Sequence, residues 1–221
     1  MLLLAFDTAT PAVTAALHDG RGVLAESTVI DARRHGELLV PAVERVMSAA
    51  GRPLSDVTGI VVGVGPGPYT GLRVGLVTAA AFGDALGVPV HGVCTLDGLG
   101  WAAGEAGLDG PFVVATDARR KEVYWARYDG PGHRATEPAV DRPADIGQAV
   151  GGLPAVGAGA ALYPEVFTDH RPDPAHQSAG ALAALAARRL AAGEPFAPPL
   201  PLYLRRPDAQ VPAGYKAVLP K

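Results

Sequence analysis

A strand, a helix and a second strand follow one another between residues 59 and 93, and this unit constrains the fold more than any other part of the chain. The run Gly59 to Val64 contains only apolar residues and glycine, which is typical of a strand covered on both faces. Helical spacing follows from Gly71 to Leu86, and a second strand-like run extends from Val88 to Val93. Because parallel strands are usually joined through a helix, the pattern predicts an α/β protein.

Three shorter strands and a helix precede this unit. The strands are separated by turn residues and are Leu2 to Phe6, Ala12 to Leu17 and Val23 to Ile30. The segment His18 to Gly22 is typical of a hairpin turn between the last two. A helix is predicted from Arg34 to Ala50, where Gly51 and then Pro53 end it. A meander followed by crossover units predicts a mixed sheet flanked by helices.

Glycine becomes frequent around Gly104 to Gly110, and we place a boundary between two lobes there. The predicted division is a first lobe at residues 1–105, a smaller second lobe at residues 106–207 and a loose tail at residues 208–221. The predicted elements of the second lobe are a hairpin of Phe112 to Thr116 with Glu122 to Tyr128, a strand ending at Ala155 to Gly159, and a helix from Ser178 to Ala192. Ser178 is a suitable N-cap for that helix and Gly193 a suitable stop.

The composition argues against several classes of protein. The 221 residues include 19 Lys and Arg against 22 Asp and Glu, a net charge of −3, whereas a nucleic-acid-binding domain is expected to be basic. Any role with RNA is therefore expected to be local or to depend on a partner. No apolar run approaches the ~18 residues of a membrane span, and the N-terminus lacks the basic region of a signal peptide. We expect a cytoplasmic protein whose single cysteine, Cys94, is a small core residue.

The helix from Gly71 to Leu86 carries a row of small residues along one face. The row consists of Gly71, Gly75, Ala79 and Gly83, four residues apart. Each interior glycine costs about 0.5–1 kcal/mol relative to alanine, so the row indicates a close approach by another part of a protein. Two interpretations remain open: the helix packs tightly on its own sheet, or it forms a groove for a partner helix.

Two loops are candidates for phosphate binding, but neither pattern is specific. The segment Asp7 to Thr10 ends the first strand, where actin-like and sugar-kinase-like ATPases place a phosphate loop, although an aspartate in such a turn is more often structural. The loop Gly63 to Gly71 opens a helix, where backbone N–H groups can hold an anion. It lacks the lysine of a P-loop and contains Pro66 and Pro68, which remove two donors. The six histidines include no pair with metal-ligand spacing, so no assembled active site is predicted.

Several blocks of sequence together resemble the bacterial TsaB (YeaZ) family. The most specific block is Gly65 to Gly75, with the sequence GPGPYTGLRVG, in which Pro68 stands where the family usually has serine. The other matching blocks are Leu4 to Thr10, Arg34 and His35 with Leu38, Leu39 and Pro41, Cys94 to Leu96, Asp117 to Arg119 with Glu122 to Tyr124, Gly157 to Ala160 with Tyr163, and Tyr203 to Arg205. The resemblance therefore covers nearly the whole chain.

The resemblance implies a fold and a function. The implied fold is the two-lobed, actin-like ASKHA (RNase H-like) fold, with mixed sheets flanked by helices and a small second lobe. The implied function is the synthesis of N6-threonylcarbamoyladenosine at position 37 of tRNAs that read ANN codons. In that system the paralogue TsaD transfers the threonylcarbamoyl group, TsaB is its scaffold, and the ATPase TsaE joins the complex. The resemblance implies a non-catalytic chain that contacts tRNA only through the complex and forms a homodimer when alone.

The resemblance also implies roles for particular residues. TsaD holds its metal with two histidines on a helix, but here His35 is followed four residues later by Leu39. ATP and metal are therefore expected on partner subunits, and no cofactor is expected on this chain. The implied partner surface uses the first two helices, with these residues: His35, Leu39, Val43, Val46, Gly71, Leu72, Gly75, Leu76, Ala79 and Gly83. Residues of vestigial nucleotide loops are Asp7, Thr8, Thr10, Asp117 and Arg119.

An enzymatic alternative remains open at this point. The wider fold family contains ATPases and kinases, and this family was once described as a glycoprotease-like metalloenzyme. A kinase would need the Asp7 loop, a second phosphate loop near Asp117 and an adenosine site near Gly157 to Gly159. The sequence offers a candidate for each of these, but it offers no metal cluster and no lysine to neutralise a γ-phosphate.

Overall fold

Two β-sheets with helices on their faces form the computed structural model, which describes residues 1–205. The first sheet has five strands in the order β3-β2-β1-β4-β5. Their bounds are β1 Leu3–Asp7, β2 Ala12–His18, β3 Val23–Ile30, β4 Gly59–Gly63 and β5 Val90–Val93. The first three strands are antiparallel neighbours, and β4 and β5 run parallel to β1. The predicted meander followed by a crossover unit is confirmed.

Both faces of the first sheet are covered. The helices α1, His35–Ala49, and α2, Tyr69–Leu86, cover one face, where Leu4 and Phe6 of β1 enter the core. Helix α6, Ala179–Ala192, covers the other, where Leu3 and Ala5 contact it. Successive residues of a strand point to opposite faces, so β1 must be apolar at every position. The same reason explains the continuous apolar run of β4.

The second sheet has the strand order β11-β10-β6-β7-β8, and β9 also pairs with β7. Its strands are β6 Phe112–Asp117, β7 Val123–Gly130, β8 His133–Arg134, β9 Ala139–Asp141, β10 Pro154–Val156 and β11 Asp169–His170. The antiparallel pairing of β6 with β7 confirms the predicted hairpin. Two short helices, α4 at Pro143–Val150 and α5 at Ala158–Ala161, pack on this sheet. The residues predicted as a loose tail, 208–221, lie outside the described part of the chain.

Helix α3, Thr95–Glu105, lies between the two sheets and is not predicted by the sequence analysis. Its glycines conceal the helical pattern, yet each has a packing role. A Cβ atom on Gly98 would lie 2.7 Å from the Leu182 side chain of α6. A Cβ atom on Gly100 would lie 3.1 Å from the ring of Tyr128 in the second sheet. The missing side chains therefore let α3 approach both neighbours closely.

The ends of α6 form as the sequence predicts. The Ser178 hydroxyl accepts a hydrogen bond from the backbone N–H of Ala181, and Gly193 has the left-handed conformation with φ 66°. Although α6 follows the second sheet in the chain, it packs on the first. The lobes at residues 1–105 and 106–207 stay a prediction, because the spatial grouping of this helix does not follow chain order.

A proline-rich segment at residues 195–205, here called the strap, connects the first sheet to the second. Ala197 forms a β-bridge with Gly92, and the Leu202 N–H donates to the Val64 carbonyl over 2.8 Å. At the far end, Arg205 donates to the Ala118 carbonyl over 3.1 Å and pairs with Glu122. The strap is therefore fixed to both sheets.

Asp97 of α3 joins three elements through its buried carboxylate. It accepts hydrogen bonds from Tyr128 Oη at 2.9 Å and Arg134 Nη1 at 2.9 Å in the second sheet, and from Arg189 Nη2 of α6 at 3.3 Å. These groups line a cleft of about 550 Å³ beside the strap. Since α6 packs on the first sheet, one carboxylate connects the two sheets.

The charge distribution on α2 bears on the membrane question. This helix has 18 residues and carries Arg73 and Asp84 on exposed positions. Within residues 1–205, no helix combines the length and the apolar composition that crossing a membrane requires. The cytoplasmic location stays a prediction.

Replacement Asp97→Asn is expected to destabilise the chain. It leaves two guanidinium groups, each about four-fifths buried, without their shared anion, and the free energy of unfolding should fall by about 2–3 kcal/mol. Urea unfolding followed by circular dichroism measures this. Asp84→Asn, on the exposed face of α2, is the matched control and should change stability by less than about 0.5 kcal/mol. Equal effects of the two changes would contradict the role given to Asp97.

Candidate functional site

The end of β1 places Asp7 in a closed environment. Its Oδ1 accepts from the Ala9 N–H at 2.7 Å, and its Oδ2 accepts from the Thr95 hydroxyl at 2.7 Å. The side chain has no exposed surface. A Cβ atom on Gly63 would overlap the carboxylate, at 2.0 Å from Oδ2. The chain itself therefore occupies the space around this carboxylate, in which an ATPase would need room for metal and water.

Burial raises the pKa of Asp7 to about 6, against the hydrogen bonds from Ala9 and Thr95, which lower it. The desolvation cost falls on the charged form, and the few donors present do not offset it. The carboxyl therefore changes protonation state at a pH two units above its ordinary range.

Thr8 binds directly to the backbone of α2. Its hydroxyl donates to the Gly71 carbonyl at 2.7 Å and accepts from the Gly75 N–H at 3.0 Å. These two backbone groups, four residues apart, are the ones that an α-helix joins. A Cβ atom on Gly71 would lie 2.4 Å from the Thr8 carbonyl oxygen, and one on Gly75 would lie 2.7 Å from the Thr8 hydroxyl. The β1–β2 turn is thus pressed against the helix where its side chains are missing.

The loop that precedes α2 fills the rest of this space. A Cβ atom on Gly67 would lie 2.0 Å from the Ala9 carbonyl oxygen. The Gly65 N–H donates to the Thr95 hydroxyl at 3.1 Å, and the Gly65 carbonyl accepts from the Thr95 N–H at 2.8 Å. Backbone groups that could hold an anion are therefore bonded to the chain itself. The loop is a structural connection between β4, α2 and α3.

Thr10, the third predicted residue of this loop, is also bound within the chain. Its hydroxyl donates to the side-chain carbonyl of Gln177, whose amide donates to the Ala12 carbonyl at 2.9 Å. The Thr10 carbonyl is 2.8 Å from His35 Nε2. Gln177 was not singled out from the sequence, because it lies 167 residues further along the chain and follows no motif.

The candidate second phosphate loop has a different character from the first. Asp117 ends β6 and accepts from the Arg119 N–H at 2.7 Å, while the Arg119 guanidinium pairs with the same carboxylate at 3.1 Å. The residues Arg119, Arg120 and Lys121 all have the left-handed conformation, with φ values of 62°, 55° and 61°. The acidic group is therefore paired inside its own turn, at a basic and exposed hairpin tip.

The candidate adenosine turn is packed against β6. Gly157 has φ 98°, and a Cβ atom there would lie 2.3 Å from the Ala115 carbonyl oxygen. A Cβ atom on Gly159 would lie 2.6 Å from the Thr116 carbonyl carbon. These glycines serve a close approach of backbone to backbone, as do those of α2.

The residues predicted at a partner surface are largely occupied inside the chain. Those buried in the core or against the sheet are Leu39, Val43, Val46, Gly71, Leu72, Gly75, Ala79 and Gly83, while His35 and Leu76 are half-buried. A Cβ atom on Gly83 would lie 2.4 Å from the Val90 side chain of β5. Of the two interpretations of the small-residue row, the geometry favours packing on the chain's own sheet. A bulky residue at Gly75 or Gly83 would disturb the fold before any partner contact.

The first two helices present a different set of residues outward. We call this set the outer helical face; its exposed members are Val40 and Pro41 of α1 and Val77, Ala80 and Ala81 of α2. Val77 is the most prominent, with 67% of its surface exposed. Nearby, the Arg73 guanidinium lies 4.0 Å from the centre of the Tyr69 ring, which also stacks on Tyr203 of the strap.

Possible reactive and metal-binding groups were compared with their predicted roles. Cys94 is buried, and burial raises the pKa of its thiol to about 12, so the prediction of a core residue is confirmed. Leu39, which stands where the second histidine of TsaD would, is 1% exposed in the core. Among residues 1–205, no three His, Cys, Asp or Glu side chains are grouped as metal ligands would be.

The glycine contacts of α2 predict opposite effects for two Gly→Ala substitutions. Gly75→Ala should lower the free energy of unfolding by about 1–3 kcal/mol, because the new Cβ meets the buried Thr8 hydroxyl. Gly36→Ala in α1 is the control: its Cβ would lie 4.0 Å from Val74, and it should stabilise by about 0.5–1 kcal/mol. Chemical denaturation measures both. Equal stabilisation by the two changes would show that the α2 contact is loose.

The raised pKa of Asp7 gives stability a pH dependence. The folded chain binds this proton more tightly than the unfolded chain does, so the free energy of unfolding should fall as the pH rises from about 4 to above 6. The expected contribution is about 3 kcal/mol. Asp7→Asn should remove this component between pH 4 and 7, measured by urea unfolding at each pH. An unchanged pH profile in the variant would place the Asp7 pKa near its ordinary value.

Comparisons with known proteins give consistent results. The family model "TsaD: tRNA N6-adenosine threonylcarbamoyltransferase" matches residues 21–168. An uncharacterized protein of Mycobacterium tuberculosis is 46% identical over 212 residues, which cover 94% of this chain and 93% of that protein. The tRNA threonylcarbamoyladenosine biosynthesis protein TsaB of Escherichia coli is 34% identical over 128 residues, 58% of this chain and 55% of that protein.

A solved structure extends the comparison to the whole fold. YeaZ from Pseudomonas aeruginosa is 31% identical, with a TM-score of 0.79, and the match covers 92% of this chain and 99% of that one. Together with the two mixed sheets and their flanking helices, this confirms the predicted actin-like ASKHA fold.

Proposed function

The chain belongs to the TsaB (YeaZ) family, and from that membership we propose that it is a non-catalytic scaffold subunit. With TsaD and TsaE, it is required for threonylcarbamoyl transfer to adenosine 37 of tRNAs that decode ANN codons. Its TsaB relatives are named as proteins of threonylcarbamoyladenosine biosynthesis, which supports the pathway. Threonylcarbamoyl transfer itself belongs to TsaD.

One observation supports the non-catalytic role above all others. The loop in which an actin-like enzyme would hold phosphate is filled by the chain's own groups. Asp7 is enclosed by Gly63 and Thr95, and the Thr8 hydroxyl is bonded to the backbone of α2. A carboxylate in this environment has no room to orient a metal ion or a water molecule. The core position of Leu39 supports the same conclusion for the metal-binding helix of the fold.

The partner surface in this proposal is the outer helical face. Its members are apolar or small and exposed, and a monomer gains no burial energy from them. Matching helices of TsaD would cover Val40 of α1 and Val77 of α2 while the buried side of each helix keeps its contact with the sheet. The surface is thus moved outward from the residues that the sequence analysis predicted, but it stays on the same two helices.

The acidic balance of the chain fits an indirect role with tRNA. A net charge of −3 supplies no general attraction for phosphate. In the complex, TsaD and TsaE carry ATP and metal, and the basic surface for tRNA is mainly theirs. This chain contributes a rigid surface on which TsaD is held in its active arrangement.

Reconstitution tests the proposed function directly. Purified chain, with TsaD and TsaE from the same organism, should convert tRNA adenosine to the threonylcarbamoyl form when threonylcarbamoyl-adenylate is supplied. Nucleoside analysis by liquid chromatography and mass spectrometry measures the product. Omission of this chain should abolish product, and the chain alone should form none. Full activity in its absence would contradict the requirement.

The surface is tested by Val77→Glu, which places a charge at the centre of the outer helical face. The affinity for TsaD should fall by at least about tenfold, or 1.4 kcal/mol, because a charge at an apolar contact must be desolvated. Leu162→Glu is the matched control, since Leu162 is also an exposed aliphatic residue, at 55%, but lies near the second sheet. Surface plasmon resonance measures both variants. Equal losses, or none, would place the TsaD contact elsewhere.

A further inference from the structure

Strand β3 is the long uncovered edge of the described fold. It ends the strand order of the first sheet, and within residues 1–205 its outer side has no neighbouring strand. The other edge of that sheet, β5, is covered because Ala197 of the strap bridges to Gly92. In the second sheet, the strands β8, β9 and β11 are only two or three residues long. An eight-residue edge is therefore exceptional in this molecule.

The usual protection of an edge strand is weak here. Proteins protect such edges with lysine, proline, charged side chains or bulges, and the β3 sequence VLAESTVI contains neither lysine nor proline. One bulge lies near Leu24, and pairing with β2 is regular from Ala25 to Ile30. The single charge, on Glu26, is held by the start of α6 through the Ser178 hydroxyl at 2.8 Å and the Gly180 N–H at 3.2 Å.

The same strand exposes large apolar side chains. Val23, Leu24 and Ile30 have 45%, 41% and 53% of their surface exposed. Unpaired backbone groups beside apolar side chains form a template on which another strand can add. The edge therefore offers both the hydrogen bonds and the apolar contacts that a partner strand requires.

We propose that β3 pairs with β3 of a second copy of this chain, antiparallel and with Ser27 opposite Ser27 across a two-fold axis. An axis perpendicular to the sheet keeps the faces of both sheets aligned, so only residues of the same parity face each other. Centring on Ser27 places Ala25 opposite Val29, Glu26 opposite Thr28, and Leu24 opposite Ile30. The result is a continuous ten-stranded sheet.

The charge on Glu26 selects this register over its neighbours. Centring the pair on Glu26 would place two carboxylates directly opposite each other, which is unfavourable. Centring it on Thr28 would place Glu26 opposite Ile30 and leave Leu24 beyond the paired region. The Ser27 register separates the carboxylates and pairs apolar residues at both ends. A second copy is therefore complementary to this edge in its own sequence.

Helix α1 adds a second contact to this arrangement. It packs over β2 and β3, so the two-fold axis brings both copies of α1 to the same face of the continuous sheet. With strands about 4.8 Å apart, the two helices lie roughly 10 Å from each other, which is a normal packing distance. Arg45 of α1 already donates to the Ser27 hydroxyl at 3.1 Å, and Glu44 beside it is exposed. The α2 part of the outer helical face stays outside this contact.

A disulfide test reports the proposed axis. In Ser27→Cys the two new thiols would be directly opposite, at a Cα separation of about 4.5–5.5 Å that a disulfide can span. Native Cys94 does not compete, because it is buried and its pKa is raised to about 12. Mild oxidation should give a covalent dimer on a non-reducing gel. Ala80→Cys, on the outer helical face, is the control and should remain monomeric on the gel; cross-linking there and not at residue 27 would overturn the proposal.

A pair of substitutions at one position tests the register. Thr28→Glu places a second carboxylate opposite Glu26 of the other copy, twice in each dimer, and should weaken the dimer at least about tenfold. Thr28→Lys places an opposite charge there and should leave the dimer at least as stable. Sedimentation equilibrium measures the dissociation constants, with circular dichroism to confirm folding of each variant. A wild-type chain that is monomeric at all concentrations, or equal weakening by both changes, would overturn the proposal.

Discussion

The hydrogen bonds of the Thr8 hydroxyl to the backbone of α2 determine much of this structure. They require that Gly71 and Gly75 have no side chains, and they hold the β1–β2 turn against the start of the helix. The rest of the region depends on that contact: the 65–71 loop closes over the turn, Thr95 donates to Asp7, and α3 starts beside them. A single close approach thus joins β1, α2 and α3.

The same contact explains how a nucleotide-binding fold can serve without nucleotide. In this chain the space for phosphate is used for internal hydrogen bonds, and a carboxylate that would orient metal is instead a buried group with a raised pKa. The loss of that space makes α2 a well-supported element whose outer side is free. The scaffold role that we propose uses this outer side, and the filled loop keeps the helix in position.

The sequence predicted much of the fold because many of its signals are local. The strands of the meander, the strand β4 and the caps of α6 at Ser178 and Gly193 each follow from residues close in the chain. Helix α3 was not predicted, because Gly98 and Gly100 look like breaks until their neighbours α6 and Tyr128 are known. The short strands β8 and β11 have too few residues for a pattern.

The site was predicted less completely, for a physical reason. A row of small residues has the same spacing whether it faces its own sheet or another protein, so the sequence could not decide the role of Gly75 and Gly83. Asp7 and Thr8 were identified as loop residues, but their enclosure depends on Gly63 and Thr95, which lie 56 and 88 residues away. Asp97 was missed because its partners Arg134 and Arg189 come from distant segments. Contacts of this range leave no periodic signal.

The claim that connects these observations is that the phosphate loop is filled and that the chain by itself does not bind nucleotide. Isothermal titration calorimetry of magnesium-ATP into the isolated chain tests this most directly. We expect no saturable heat, which corresponds to a dissociation constant weaker than about 1 mM. Stoichiometric binding with a micromolar dissociation constant would contradict the account.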